Sequence, residues 1–167
     1  SDRLVPGVPA LRVRSDLERK RPQACTGEKS ETEGVGLGMY GADEIDRIYR
    51  HLAGHCRSGL QAGFNMIADA TFLQKRHRQW FIGLARSLGA QCWLLDCTAP
   101  EQVLRDRIRR RAETRDDASD ADQAVLEHQL NHYDPVTEAE GMTVITLQHD
   151  SNPDQVLQDI LERWDTN

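Results

Sequence analysis

Lysine is scarce in this 167-residue chain: only Lys20, Lys29 and Lys75 occur, and 27 acidic residues bring the net charge to −6. Bulk charge therefore does not draw the chain to nucleic acid. Aromatic residues are only 5% of the sequence. Trp80, Phe81 and Trp164 read as core, which leaves too few rings for a single-strand stacking groove. Cysteine is thin as well: Cys25, Cys56, Cys92 and Cys97 form no CxxC pair and have no zinc-type histidine spacing. Buried, reduced thiols are expected. His51/His55 and His128/His132 are i,i+4 pairs with no evident third ligand, so surface or core roles are expected. No apolar run approaches the ~18 residues that cross a bilayer. The N-terminus carries no charged-then-apolar signal pattern, so a cytoplasmic location with no membrane partner is expected.

What is present is a set of four short apolar runs. They are "ALRV" at 10–13, "FNMIAD" at 64–69, "QCWLLDC" at 91–97 and "MTVITLQ" at 142–148. Between them Ile45, Ile48, Tyr49, Leu52, Cys56 and Leu60 recur at helical spacing. So do His77, Trp80, Phe81, Leu84 and Leu88, and then Val156, Leu157, Ile160, Leu161 and Trp164. The spacing predicts a helix over 42–62 closed by Gly63, and another closed by Gly89, both suited to left-handed caps. Thr98 is the expected cap of the helix that follows, with Pro100 near its first turn. Strands apolar on both faces that alternate with helices specify an α/β domain over 1–167, a parallel sheet with helices on each side.

Two segments depart from that layering. Residues 22–41 hold Gly27, Gly34, Gly36, Gly38 and Gly41 and read as a long surface loop, functional or disordered. Residues 101–134 form a strongly charged helical excursion, with Ser119 as a cap for its second helix.

Ligands of parallel α/β sheets bind beyond the carboxyl ends of the strands. Asp16, Asp69 and Asp96 all fall at such ends. Asp69 in "MIADAT" either holds a metal, as acids do in phosphoryl transfer, or caps a helix starting near residue 73 or bonds local backbone in a turn. Asp16 and Arg19 share a helix face. They form either a simple i,i+3 ion pair or a base that accepts a hydroxyl proton beside a cation steadying a phosphoryl group. In "EQVLRDRIRRRAETRDD", Arg107, Arg111 and Arg115 line up at four-residue steps beside the apolar Leu104, Ile108 and Ala112. Such a stripe is either a solvated face or a row of phosphate ligands.

The motifs "RVRSDLERKR", "MIADATFLQKRHRQWF", "LLDCTAPEQVLRDRIRRR" and "DDASDADQAVLEHQL" cover nearly the whole chain in this order. In that order the chain resembles a family of bacterial P-loop kinases. These are the AAA-type ATP-binding domains often fused behind an aminoglycoside-phosphotransferase-like domain, akin to polynucleotide kinase and zeta-toxin folds. The resemblance implies a three-layer P-loop kinase-like sheet with helices on both faces and a helical lid at 101–134. It implies ATP and Mg2+ as cofactors, and a nucleotide and a small-molecule acceptor as partners. Asp16 would be the acceptor-site base and Arg19 its phosphate-orienting partner. Asp69 would stand on the metal side, Arg78 in the following helix would meet phosphate, and Arg107, Arg111 and Arg115 would belong to the lid.

One element of that pattern is missing. A G-x-x-x-x-G-K-[ST] phosphate cradle occurs nowhere in the sequence, and "TGEKS" at 26–30 lacks the first glycine, the G-K pairing and a preceding strand. Residues 1–9 look like the tail of the cradle's helix, so a kinase domain cut just after its P-loop is expected, inactive and poorly stable alone. Its first strand would lie between those bearing Asp69 and Asp96, and its absence leaves two strand edges unpaired. The other reading is a non-catalytic module that uses the basic helix for an anion or a protein partner.

Overall fold

The computed structural model describes residues 10–20, 39–114 and 123–165. The elements are β1 (Ala10–Arg14), α1 (Ser15–Lys20), α2 (Met39–Gln61), β2 (Asn65–Asp69), α3 (Lys75–Ser87) and β3 (Trp93–Thr98). There follow α4 (Glu101–Thr114), α5 (Gln123–Asn131), a single 3-10 turn (Glu138–Glu140), β4 (Thr143–Gln148) and α6 (Pro153–Asp165). Strand and helix alternate as the apolar runs predict. The cap Ser119, the tail at 1–9, Cys25 and most of the 22–41 loop lie outside the described residues.

Both strand pairings are parallel. β1 runs beside β2 with Arg14 opposite Asp69, and β3 runs beside β4 with Asp96 opposite Thr146. The described strands thus make two two-stranded sheets, and no pairing joins β2 to β3 among the described residues. The chain divides accordingly. One compact unit holds β1, α1, α2, β2, α3 and the segment His132–Pro135; the other holds β3, α4, α5, β4 and α6.

In the first unit α2 supplies the core. Tyr49, Leu52 and Cys56 are buried at helical spacing, and Leu52 is 0% exposed. Complete burial of such a leucine contributes roughly 2 kcal/mol. Ile45, placed in the same apolar pattern by its spacing, is exposed instead. One turn beyond Cys56, a Cβ on Gly59 would collide with the Met66 thioether, so glycine lets α2 settle onto β2. On α3 the buried residues are His77, Arg78, Ile82, Leu84 and Ala85.

The expected left-handed caps are present. After α2, Gly63 has φ 84°, its N–H donates to Leu60 O at 3.0 Å, and Phe64 N–H donates to Gly59 O at 3.0 Å. Gly89 ends α3 in the same way, with Gly89 N–H to Arg86 O at 3.2 Å and Ala90 N–H to Ala85 O at 2.9 Å. These are paired Schellman bonds that satisfy the last carbonyls of each helix. Thr98 is not a cap. It is the last residue of β3, opposite Gln148, and its hydroxyl donates to Leu147 O at 3.4 Å. In the second unit Leu126 and Glu140 are buried, and Thr137 N–H donates to Glu140 Oε1 at 3.3 Å. Among the described residues no helix is long and apolar enough to cross a membrane.

Candidate functional site

At the carboxyl end of the β1–β2 pair two carboxylates meet two guanidinium groups. Successive residues of a strand alternate between faces, so Arg12 and Arg14 share the face of Asp69, the register partner of Arg14. Arg12 binds Asp69 Oδ2 through Nη2 and through Nε at 2.9 Å. Arg14 holds Asp16 bidentately, Nε to Oδ1 at 3.1 Å and Nη2 to Oδ2 at 2.6 Å. The same Arg14 Nε lies 4.0 Å from Asp69 Oδ2, so one side chain spans both acids. Solvent reaches all four groups, and exposed pairs of this kind contribute about 0–1 kcal/mol to stability. Their weight is positional.

Asp16 and Asp69, picked out separately in the sequence, are thus brought together. Arg19 is not their partner: it is exposed, and no ion pair links it to Asp16 among the described residues. Arg14 makes the ion pair with Asp16 in its stead. Nor does Asp69 cap α3. Asp134 does, accepting from Lys75 N–H at 2.8 Å, while Asp134 N–H donates to Leu73 O at 2.8 Å.

Arg78 is 2% exposed and donates to backbone carbonyls: Nη1 to Phe72 O at 2.9 Å and Leu73 O at 3.3 Å, Nη2 to Pro135 O at 3.4 Å. The loop that leaves Asp69 is therefore laced to a buried guanidinium. Tyr49 adds to the lacing, and burial pushes its phenol pKa up, against the lowering effect of its hydrogen bonds with Thr71 and Phe72.

Arg107 and Arg111 lie on α4, in the other unit, with the Arg107 side chain exposed; Arg115 lies outside the described residues. On that helix the structure singles out a different arginine. Arg105 takes Glu101 at 2.6 Å and Glu127 of α5 at 2.5 Å, which ties α4 to α5. Those two carboxylates, Glu127 foremost, raise its pKa and keep it charged. Asp96 pairs within the β3–β4 sheet of the same unit.

Every approach of Arg12 and Arg14 to Asp69 is to Oδ2. Oδ1 remains without a protein partner among the described residues. A carboxylate oxygen is a fitting donor for Mg2+, which commonly takes one or two protein carboxylates beside phosphate oxygens. No group of three or more His, Cys, Asp or Glu gathers for a metal among the described residues. The donor set suits a cation that arrives with a phosphate and does not suit a protein-caged ion. For a nucleotide triphosphate the chain offers no matching cradle, because the Gly-rich Lys motif is absent from its sequence.

Residues 1–136 match the family model described as an AAA domain, and the chain belongs to that family. A solved structure that it resembles is an unliganded sugar kinase from Janibacter sp. HTCC2649, with a TM-score of 0.63 and 18% identity. The match covers 95% of this chain and 80% of that one. No curated protein matches the sequence. The alternation of strands with helices, the parallel pairing and these matches agree on a P-loop kinase-like α/β fold.

Arg12, Arg14, Tyr49, Asp134 and Arg105 were not singled out for these roles in the sequence. A signal existed for the first two, since "RVR" at 12–14 is a period-two repeat inside a strand. Asp134 had none, lying 59 residues from the helix end that it caps.

Proposed function

We propose that this domain transfers a phosphoryl group from ATP to a hydroxyl of a small molecule or nucleotide. The observation that carries it is the meeting of Asp16 and Asp69 at one end of a parallel strand pair, with Arg14 between them. Asp16 accepts the proton of the acceptor hydroxyl, its carboxylate aimed by the Arg14 fork. Arg19, exposed one turn further along α1, turns its guanidinium to the phosphoryl oxygens. Asp69, through Oδ1, would hold a magnesium ion bound with nucleotide, and that ion would supply charge neutralisation at the transferred group. Arg107, Arg111 and Arg115 are the residues of the segment at 101–134 whose guanidinium forks suit phosphate oxygens. The likeness to a sugar kinase makes polyhydroxylated small molecules the first acceptors to try. The reading requires a triphosphate cradle from outside these 167 residues.

Calorimetric titration of ATP with Mg2+ tests it, on this chain and on one extended upstream through its gene. Binding by the extended chain alone is expected. Acceptor screening then follows, and Asp16→Asn is expected to lower turnover by about 10²–10⁴-fold, the usual worth of a general base. If neither form binds, only the fold is kinase-like, and the arginine helix becomes an anion-binding surface to test.

A further inference from the structure

The turn that follows Asp69 is fixed by more buried groups than a surface turn needs. Phe72 has φ 45° and is the only non-glycine residue with positive φ among the described residues. That region is unfavourable for a side chain of its size. Its N–H donates to Tyr49 Oη at 2.9 Å, and its carbonyl accepts from Arg78 Nη1 at 2.9 Å. Its ring packs edge-on against Tyr49 at 5.3 Å and Phe81 at 5.0 Å. Tyr49 comes from α2 and Arg78 from α3, and both are buried. Strained backbone of this sort persists where its surroundings over-determine it, and it concentrates at functional sites.

Tyr49 Oη already takes the Phe72 N–H, and its single hydrogen needs an acceptor because the residue is buried. Thr71 Oγ1, at 3.4 Å, is the partner the structure provides. Thr71 is itself exposed. A Thr71 oxygen that accepts from Tyr49 keeps its own hydrogen for a further acceptor, two residues beyond Asp69.

We propose that Tyr49 and Arg78 are positioning residues that hold the Thr71–Phe72 peptide in a preformed turn, so that the Thr71 hydroxyl donates to an oxygen of the transferred phosphoryl group. The Thr71 role rests on the kinase reading above; the clamp on Phe72 stands on geometry alone. Tyr49→Phe keeps the ring packing and removes the hydroxyl. In the extended chain, kcat for phosphotransfer is expected to fall roughly 10–100-fold, as small misplacements of reacting groups do. KM for ATP is expected to stay within about twofold, the pattern of an interaction made in the transition state. Thr71→Val is expected to lower kcat alike, and Thr71→Ser, which keeps the hydroxyl, to restore it. Amide exchange at Phe72, followed by NMR, is expected to speed up in Tyr49→Phe, while the circular dichroism melt still shows a folded protein.

Faster exchange with unchanged kcat would overturn the positioning role and leave a structural clamp. Unchanged exchange would overturn the clamp itself. If the wild-type extended chain transfers no phosphate to any acceptor, the kinase reading and the Thr71 role fall together. The exchange at Phe72 then decides the clamp by itself.

Discussion

Asp46 accepts from His77 Nε2 at 2.8 Å and pairs with Arg76 at 2.9 Å, while the Tyr49 ring stacks on the imidazole at 3.9 Å. His77 is 2% exposed, and burial lowers its pKa despite the raising effect of the Asp46 bond. The neutral ring is therefore the folded form, with its Nε2 hydrogen on the carboxylate. The unfolded chain binds the extra proton first, from about pH 6.5 downward. Stability is thus full above that value and falls as pH drops from there towards the lowered folded pKa. Urea midpoints measured between pH 8 and pH 5 should fall more steeply for the wild type than for His77→Gln. Equal slopes would remove His77 as the source. The cysteines divide in the same local way. Burial pushes the Cys56 thiol up to about 11, and the Cys92 thiol upward, whereas Cys97 is exposed. A thiolate-selective alkylating reagent at pH 8 should therefore modify Cys97 well before Cys56, as peptide mass mapping would show. Modification of Cys56 in the folded protein at the same rate would contradict its burial.

Gly63 and Gly54 sit on the same helix region yet call for opposite outcomes. Gly63 holds φ 84° with two Schellman bonds, so Gly63→Ala should destabilise by about 1 kcal/mol. Gly54 lies inside α2 with nothing within 4 Å of an added Cβ, so Gly54→Ala should stabilise by roughly 0.5–1 kcal/mol. Chemical denaturation of both variants checks the pair, and a stabilised Gly63→Ala would refute the cap. Elements of this kind were readable in the sequence because their signals are local. Helical spacing ran out just before Gly63 and Gly89, and both proved to be caps. Thr98 misled because a cap residue and a last strand residue look alike until the pairing with Gln148 is known. Asp134 at the start of α3 was beyond reach, since nothing local marks a cap supplied by a distant segment. At the site, the positions of Asp16 and Asp69 were legible from strand ends. Their coupling through Arg14 was not, because it depends on the register that sets Arg14 opposite Asp69.

At the scale of the molecule, the parallel α/β character followed from apolar runs alternating with helices, and the pairings β1–β2 and β3–β4 agree with it. The pairing partners themselves were not legible from composition or period, because parallel strands carry no turn between them to fix register. Each described strand has a single strand neighbour, so each leaves one edge unpaired among the described residues. Parallel sheets are ordinarily wider and covered, and a two-stranded sheet is marginal without packing against helices. Along a parallel strand the backbone N–H groups point alternately to either side, so only every second amide of β2 or β3 meets its neighbour. Amide exchange followed by NMR should then alternate along Asn65–Asp69 and Trp93–Thr98, slow at the paired amides and fast at the others. Urea unfolding should accompany this with a low midpoint, since unpaired edges leave backbone groups to water and to other chains. Uniformly slow exchange along β2 and β3 would mean that another strand covers those edges. Dilution separates the two sources of such a strand. Protection that weakens as the protein is diluted comes from a second copy, and protection that persists comes from the chain itself.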